Sequence, residues 1–220
     1  MVRLPSLAAC SVALACVVTP LTSSFAGEPA ALDPEAQRLA ATRKAERYDV
    51  AMGGPIRAGG AAVFCDAPLA IVERLATDYG HYVNTIPRFQ KSRVVAKKGT
   101  DTDVYLQVPI LHGAATVWSL TRFGAPQRQG QSVLVSGRML EGNVDDFRGQ
   151  WRLRGVSDTQ SVIKMELLVV PKFPAPAKVV TGELQGAAAN AASSLCRRAE
   201  ALAKEAAALQ AQNGSAAPAP

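Results

Sequence analysis

Residues capable of chemistry are few in this chain, and they are scattered. Two histidines, His81 and His112, and four cysteines stand among 220 residues. No His/Cys cluster has the spacing of metal ligands, and no Gly-x-Ser-x-Gly turn presents a nucleophile. Gly53-Gly54 and Gly59-Gly60 lack the Lys-Ser/Thr that a phosphate-cradling loop requires. General acid–base work would have to be assembled from His81, Asp78, Arg122, Arg138 or Asp146. None of these couples an obvious base to an orienting group, so no catalytic residue, metal or cofactor is assigned.

Apolar and aromatic residues at strand spacing are far more abundant. Val104, Leu106 and Val108 alternate with polar neighbours, as do Trp118 with Leu120, Val133 with Val135, and Trp151 with Leu153. Ile163, Met165, Leu167 and Val169 oppose Lys164 and Glu166. One apolar and one polar face describe an antiparallel sheet wetted on one side. Trp118 and Trp151, the only tryptophans, fall on the expected inner face, where an indole suits an apolar pocket that orients a ligand. Core filling explains them equally well, and Met165 reads as pocket wall or as gap-filler. Arg122 shares parity with Trp118 and Leu120, so it points inward on that count, although an arginine at a strand end ordinarily meets solvent.

These strands sit inside a definite order of elements. A short strand over 61–66 leads into helices over about 68–90, a strand run over about 92–171 and a closing helix over roughly 174–209. Pro68 suits the first turn of a helix, and Leu69, Val72, Leu75 and Ala76 recur at helical spacing. Asp78-Tyr79-Gly80 stops that helix, and Tyr79, Tyr82, Ile86 and Phe89 then fall at the expected pocket mouth. Gly124 to Gly130, Glu141 to Gly149 and Gly155 to Gln160 read as hairpin turns. Along the closing helix Val179, Val180, Leu184, Ala187, Ala188, Ala191 and Leu195 form a broad stripe with a small-residue middle. Those small residues permit either an open chamber or a close approach to the sheet. A strand run cannot bury its apolar face alone, so the helix is its cover.

The ends carry separate signals. Arg3, the apolar run Leu7 to Val18 and the small residues Ser24 and Ala26 predict a signal peptide over 1–26 and a periplasmic or secreted location. Residues 27–60 read as an N-terminal extension and linker broken by Gly53-Gly54-Pro55 and Gly59-Gly60, with a short helix behind Asp33-Pro34. The domain proper spans 61–209, and 210–220 reads as a disordered Gly/Ser/Ala/Pro tail. Cys65 and Cys196 would remain after cleavage, as a disulfide or as two buried thiols. The net charge of +6 has no basic stripe with interleaved aromatics, which argues against nucleic acid as a partner. It allows a weak peripheral membrane contact with anionic lipid.

Four stretches together resemble the START-like (SRPBCC, helix-grip) superfamily, in its polyketide cyclase/dehydrase and coenzyme Q-binding subgroup. They are Val63-Phe64-Cys65-Asp66-Ala67-Pro68, Asp78-Tyr79-Gly80-His81-Tyr82 through Ile86-Pro87, Gly149-Gln150-Trp151-Arg152-Leu153, and Pro171-Lys172-Phe173-Pro174-Ala175-Pro176. The resemblance implies an α+β helix-grip fold: a seven-stranded antiparallel sheet wrapped around a long C-terminal helix, with two short helices after the first strand. It also implies a cavity for a hydrophobic small molecule, here placed against Tyr82, Ile86, Phe89, Leu106, Trp118, Leu120, Val135, Trp151, Leu153, Met165, Leu167 and Leu184. Such a cavity suits non-catalytic binding or transport of a lipid, quinone or sterol-like compound. An aromatase/cyclase-like enzyme and an accessory subunit that holds a protein partner are the alternatives.

Overall fold

The computed structural model describes residues 32–110, 113 and 115–214. The expected signal peptide over 1–26, His112 and residues 215–220 lie outside the described residues. In chain order the elements are α1 (Pro34–Thr42), β1 (Glu46–Val50), β2 (Ala58–Cys65), α2 (Leu69–Thr77), α3 (Tyr82–Thr85), β3 (Lys91–Lys98) and β4 (Asp101–Ile110). There follow β5 (Ala115–Phe123), β6 (Gln127–Gln129), β7 (Ser132–Gly142), β8 (Val144–Ser157), β9 (Gln160–Pro171) and α4 (Ala177–Gly214). One antiparallel sheet runs β1-β2-β9-β8-β7-β5-β4-β3, with β6 paired to β7. This is the helix-grip architecture, with nine strands in place of the expected seven; β1 and β6 are the additions.

The N-terminal extension, expected as a linker, packs on the sheet. Asp33 caps α1, accepting from the Glu35 and Ala36 amides at 3.1 Å, and Pro34 opens its first turn. Ala36 and Leu39 then bury against Ala62, Phe64 and Val162 on the outer face of the sheet. Arg154 pairs with Asp33 and Glu35, and Lys164 with Glu35. The extension is therefore strapped to the domain, and β1 adds a strand beside β2.

Covering β2 on both sides explains its composition. All eight of its residues are buried, with Ala62 and Phe64 under α1 and Ala61, Val63 and Cys65 under α4. Gly59 and Gly60, which read as chain breaks, are members of this strand. A Cβ on Gly59 would collide with the Leu184 and Gln185 backbone, and one on Gly60 with the ring of Tyr48. Glycine here permits close approach.

Two further boundaries shift. The expected turn over 141–149 is almost entirely strand, because β7 ends at Gly142 and β8 begins at Val144. Asn143 makes that tight turn possible by accepting from the Trp118 amide at 2.8 Å and donating to the Thr116 carbonyl at 2.7 Å. At the C-terminus, α4 continues to Gly214, so 210–214 is helical where a tail was expected.

Cys65, the last residue of β2, and Cys196, in α4, form a disulfide with Cα atoms 5.5 Å apart. It ties the helix to the sheet across a separation of 131 residues.

Candidate functional site

The long helix does not lie centrally on the sheet. α4 packs along β2 and β9, with lesser contact to β1, α2 and α3. Ala188 and Ala189 meet Ala61 directly, so the small residues of the helix make the close approach on that side. Over the β4–β5 half the helix stands clear. The gap is a cavity of about 600 Å³ whose exposed lining is predominantly apolar, within the range of small-molecule sites.

Most of the expected ligand contacts meet here. Tyr82, Ile86 and Phe89 come from α3 and the loop after it; Leu106 from β4; Trp151 from β8. Met165 and Leu167 come from β9, and Leu184 from α4. Their convergence follows from register: Trp151 lies opposite Met165, and Gly149 opposite Leu167, on neighbouring strands. Gly149 itself lines the wall, leaving room that a side chain would fill.

The other candidates lie elsewhere. Trp118 and Leu120 are on the outer face of β5, half-buried, while Val117, Ser119, Thr121 and Phe123 point inward. The parity is therefore opposite to expectation, and because side chains alternate, one error moves the whole strand. Two interactions hold this register. The Trp118 ring stacks with Tyr105 of β4, centroids 6.1 Å apart. The inward hydroxyls of Ser119 and Thr121 satisfy one another at 2.9 Å, so burying them leaves no orphan. Val135 and Leu153 are inward and fully covered, but α2 closes their end of the sheet with Val72, Leu75 and Ala76. They are core, not wall.

Several lining residues carried no clear signal in the sequence. Val117 and Phe123 were hidden by the parity of β5, and Phe147 by the expected turn. Strict alternation backwards from Phe123 would have found Val117. On α4 the lining includes Val180, Ala187, Asn190, Ser194 and Arg197.

Tyr82 is the polar centre of the inner wall, and its hydroxyl proton is committed within the protein. It donates to the Ala76 carbonyl at 2.5 Å and accepts from the Trp151 indole N–H at 3.2 Å. Burial pushes the Tyr82 phenol far above its ordinary pKa. Burial likewise raises Tyr79 to about 12. Tyr79 stacks on Phe123 with centroids 4.3 Å apart and props α3 from behind without reaching the lining. Both phenols stay neutral across physiological pH.

The acid–base candidates stand outside the cavity. His81 Nδ1 and Asp78 are 2.7 Å apart, but both side chains are largely exposed. Arg122 faces outward, as an arginine at a strand end ordinarily does and with the same parity as Trp118 and Leu120, and binds Asp103 through two bonds of 2.7 and 2.8 Å. That guanidinium holds the Asp103 carboxyl below its usual range. Arg138 lies on the same outer face, and Asp146 pairs with Arg148 at 2.7 Å. Among the described residues, Glu183 is the one carboxylate on the cavity lining. A further polar grouping, Cys65, Cys196 and Glu200, has its sulfurs committed to the disulfide.

Comparison with known proteins agrees with this architecture. The family model described as polyketide cyclase/dehydrase and lipid transport matches residues 65–196, more than half of the chain. A START superfamily protein from Mycobacterium smegmatis is similar in structure, with a TM-score of 0.57, 16% identity, and coverage of 65% of this chain and 97% of that one. A STAR-related lipid transfer protein from Xanthomonas axonopodis gives a TM-score of 0.60 at 14% identity, covering 70% and 92%. The Zhui aromatase/cyclase from Streptomyces gives 0.54 at 16%, covering 70% and 94%. No curated protein matches the chain. At these identities the solved structures speak for the fold, and the family model for descent. By that match the chain belongs to the polyketide cyclase/dehydrase and lipid transport family, built on a START-like helix-grip fold.

Proposed function

We propose that this protein binds or carries a hydrophobic small molecule, a lipid, quinone or sterol-like compound, without transforming it. The observation that carries this reading is the apolar wall of Leu106, Val117, Phe147, Met165 and Leu167 around about 600 Å³. Each 100 Å² of apolar ligand surface withdrawn there contributes roughly 2.5 kcal/mol before ordering costs. The relatives' descriptions, a lipid transfer protein and an aromatase/cyclase, support a greasy ligand. The cyclase alternative needs an acid or base at the ligand. The Tyr82 proton is committed to the Ala76 carbonyl, the His81–Asp78 pair lies off the lining, and Glu183, the one lining carboxylate, has no hydrogen-bonded orienting partner among the described residues.

The apolar run Leu7 to Val18 with Ser24 and Ala26 supports a cleaved signal peptide, and with it a periplasmic or equivalent secreted setting for this activity. There the rim supports contact with a membrane. Phe173 and Val179 are 45% and 54% exposed at the cavity edge, beside the exposed Lys172 and Lys178. Apolar side chains flanked by cations suit the surface of an anionic bilayer.

Organic extraction of the purified protein followed by mass spectrometry tests the reading. A co-purified apolar compound, lost in Leu167→Trp and unchanged on incubation, supports the carrier. Recovery of no compound, with no uptake from mixed lipid vesicles, would contradict it.

A further inference from the structure

One edge of α4 gives the cavity a direction. Glu183, Asn190 and Arg197 recur seven residues apart and all line the cavity, with Ala187 and Ser194 between them. Seven residues are close to two helical turns, so these side chains form a single stripe, and its ends stand about 21 Å apart. The stripe runs from a carboxylate, through an amide, to a guanidinium.

Its two ends are fixed to the two ends of the sheet. Leu184 lies against Gly59, while Cys196, next to Arg197, is bonded to Cys65 at the other end of β2. Glu183 therefore marks the end near the Phe173 rim, and Arg197 the far end. The Arg197 side chain is held there by Ser194, whose Oγ accepts from its guanidinium at 2.9 Å and which is itself only 6% exposed. Among the described residues Arg197 pairs with no carboxylate, leaving most of its five donors open. The other lining cation is Arg88, on the loop after α3. Arg88 stands towards the rim, since Gln90 pairs with Gln107 at the end of β4 that neighbours Pro171, so the rim carries one charge of each sign and the far end carries Arg197 alone. Arg197 and Asn190 are both exposed to solvent at the edge of the cavity, so an anion placed there stays hydrated and avoids the cost of burial.

The geometry points to a single-tailed amphiphile with an anionic head group, carboxylate or phosphate, whose head is received by Arg197 and Asn190. Its tail lies between Trp151 and Leu167, towards the Phe173 rim, where Glu183 offsets the charge of Arg88 and leaves a reversed head group no net attraction. This rests on the proposal that the cavity holds a hydrophobic molecule, and it names the class.

Displacement of Nile red, an uncharged probe, from the purified protein separates the two claims. Palmitate should compete at least about fivefold more tightly than hexadecanol, the same tail without the charge. In Arg197→Gln that ratio should fall to about one, and Arg197→Lys should keep part of it. Hexadecyl phosphate reports the phosphate head, while acetate and inorganic phosphate should displace nothing. Equal affinity for acid and alcohol in the wild type, or an unchanged ratio in Arg197→Gln, overturns the head-group assignment and leaves the cavity reading intact. Competition by inorganic phosphate alone would make this a free-anion site and equally overturn it. Failure of Nile red and of both long-chain competitors to bind would overturn the parent reading.

Discussion

The two sides of α4 meet the same sheet in opposite ways. Against β2 the contact is flush: Ala188 is fully buried, Ala189 nearly so, and Gly59 has no room for a methyl group. Against β4 and β5 the helix stands away, and Ala187, one residue along from Ala188, faces the hollow. One helix thus anchors on one face and vaults on the other. Small residues carry both roles, removing bulk where backbones touch and leaving room where a ligand would sit. The disulfide lies on the anchored side, so rigidity is concentrated there and the hollow is spared it.

The largest effect should come from the anchor. Replacing Cys65 and Cys196 by serine should cost about 4 kcal/mol in urea unfolding, since the bridge closes a loop of well over 100 residues. Gly59→Val should cost about 3 kcal/mol through overpacking against the Leu184 backbone. The sharpest contrast is between neighbours. Ala188→Leu should destabilise by about 2 kcal/mol while apolar probe binding survives. Ala187→Leu should stay within about 1 kcal/mol of wild type and lower the amount of probe bound. If the two variants behave alike, the distinction between the sides of α4 fails.

The smallest effect concerns pH, on the outer face. Asp103 is held below its usual pKa by hydrogen bonding to Arg122, and Asp33 by its hydrogen bond to Arg154. A carboxyl with a depressed folded-state pKa stabilises the fold above the unfolded value near 4 and loses that contribution as pH falls through the folded value. Stability should therefore decline below about pH 4, and Asp103→Asn should flatten that limb. A wild-type stability curve level down to pH 2 would contradict the assignment.

How far the sequence discloses this arrangement depends on the kind of signal. The β4, β8 and β9 faces were legible because Val104, Leu106, Trp151, Met165 and Leu167 alternate cleanly with polar neighbours. β5 misled because its largest apolar residues, Trp118 and Leu120, are outside, supported by a cross-strand partner, Tyr105, that local pattern does not reveal. Gly59 and Gly60 resembled a linker because their reason is tertiary: a helix backbone on one side and the Tyr48 ring on the other. The pairing of Cys65 with Cys196 stayed open for the same cause, since only the packing of α4 on β2 brings them together. The polar stripe Glu183, Asn190, Arg197 was present as a period, but nothing local said which side of the helix faced the hollow.

The claim on which these readings rest is that a hydrophobic tail occupies the gap between α4 and the β4–β5 half of the sheet. A crystal structure of the protein soaked with a terminally brominated fatty acid measures this directly through the anomalous signal of bromine. That peak is expected inside the cavity, among Phe147, Leu167 and Val169. A peak on the outer face of the sheet, or an empty cavity at saturating ligand, would contradict it.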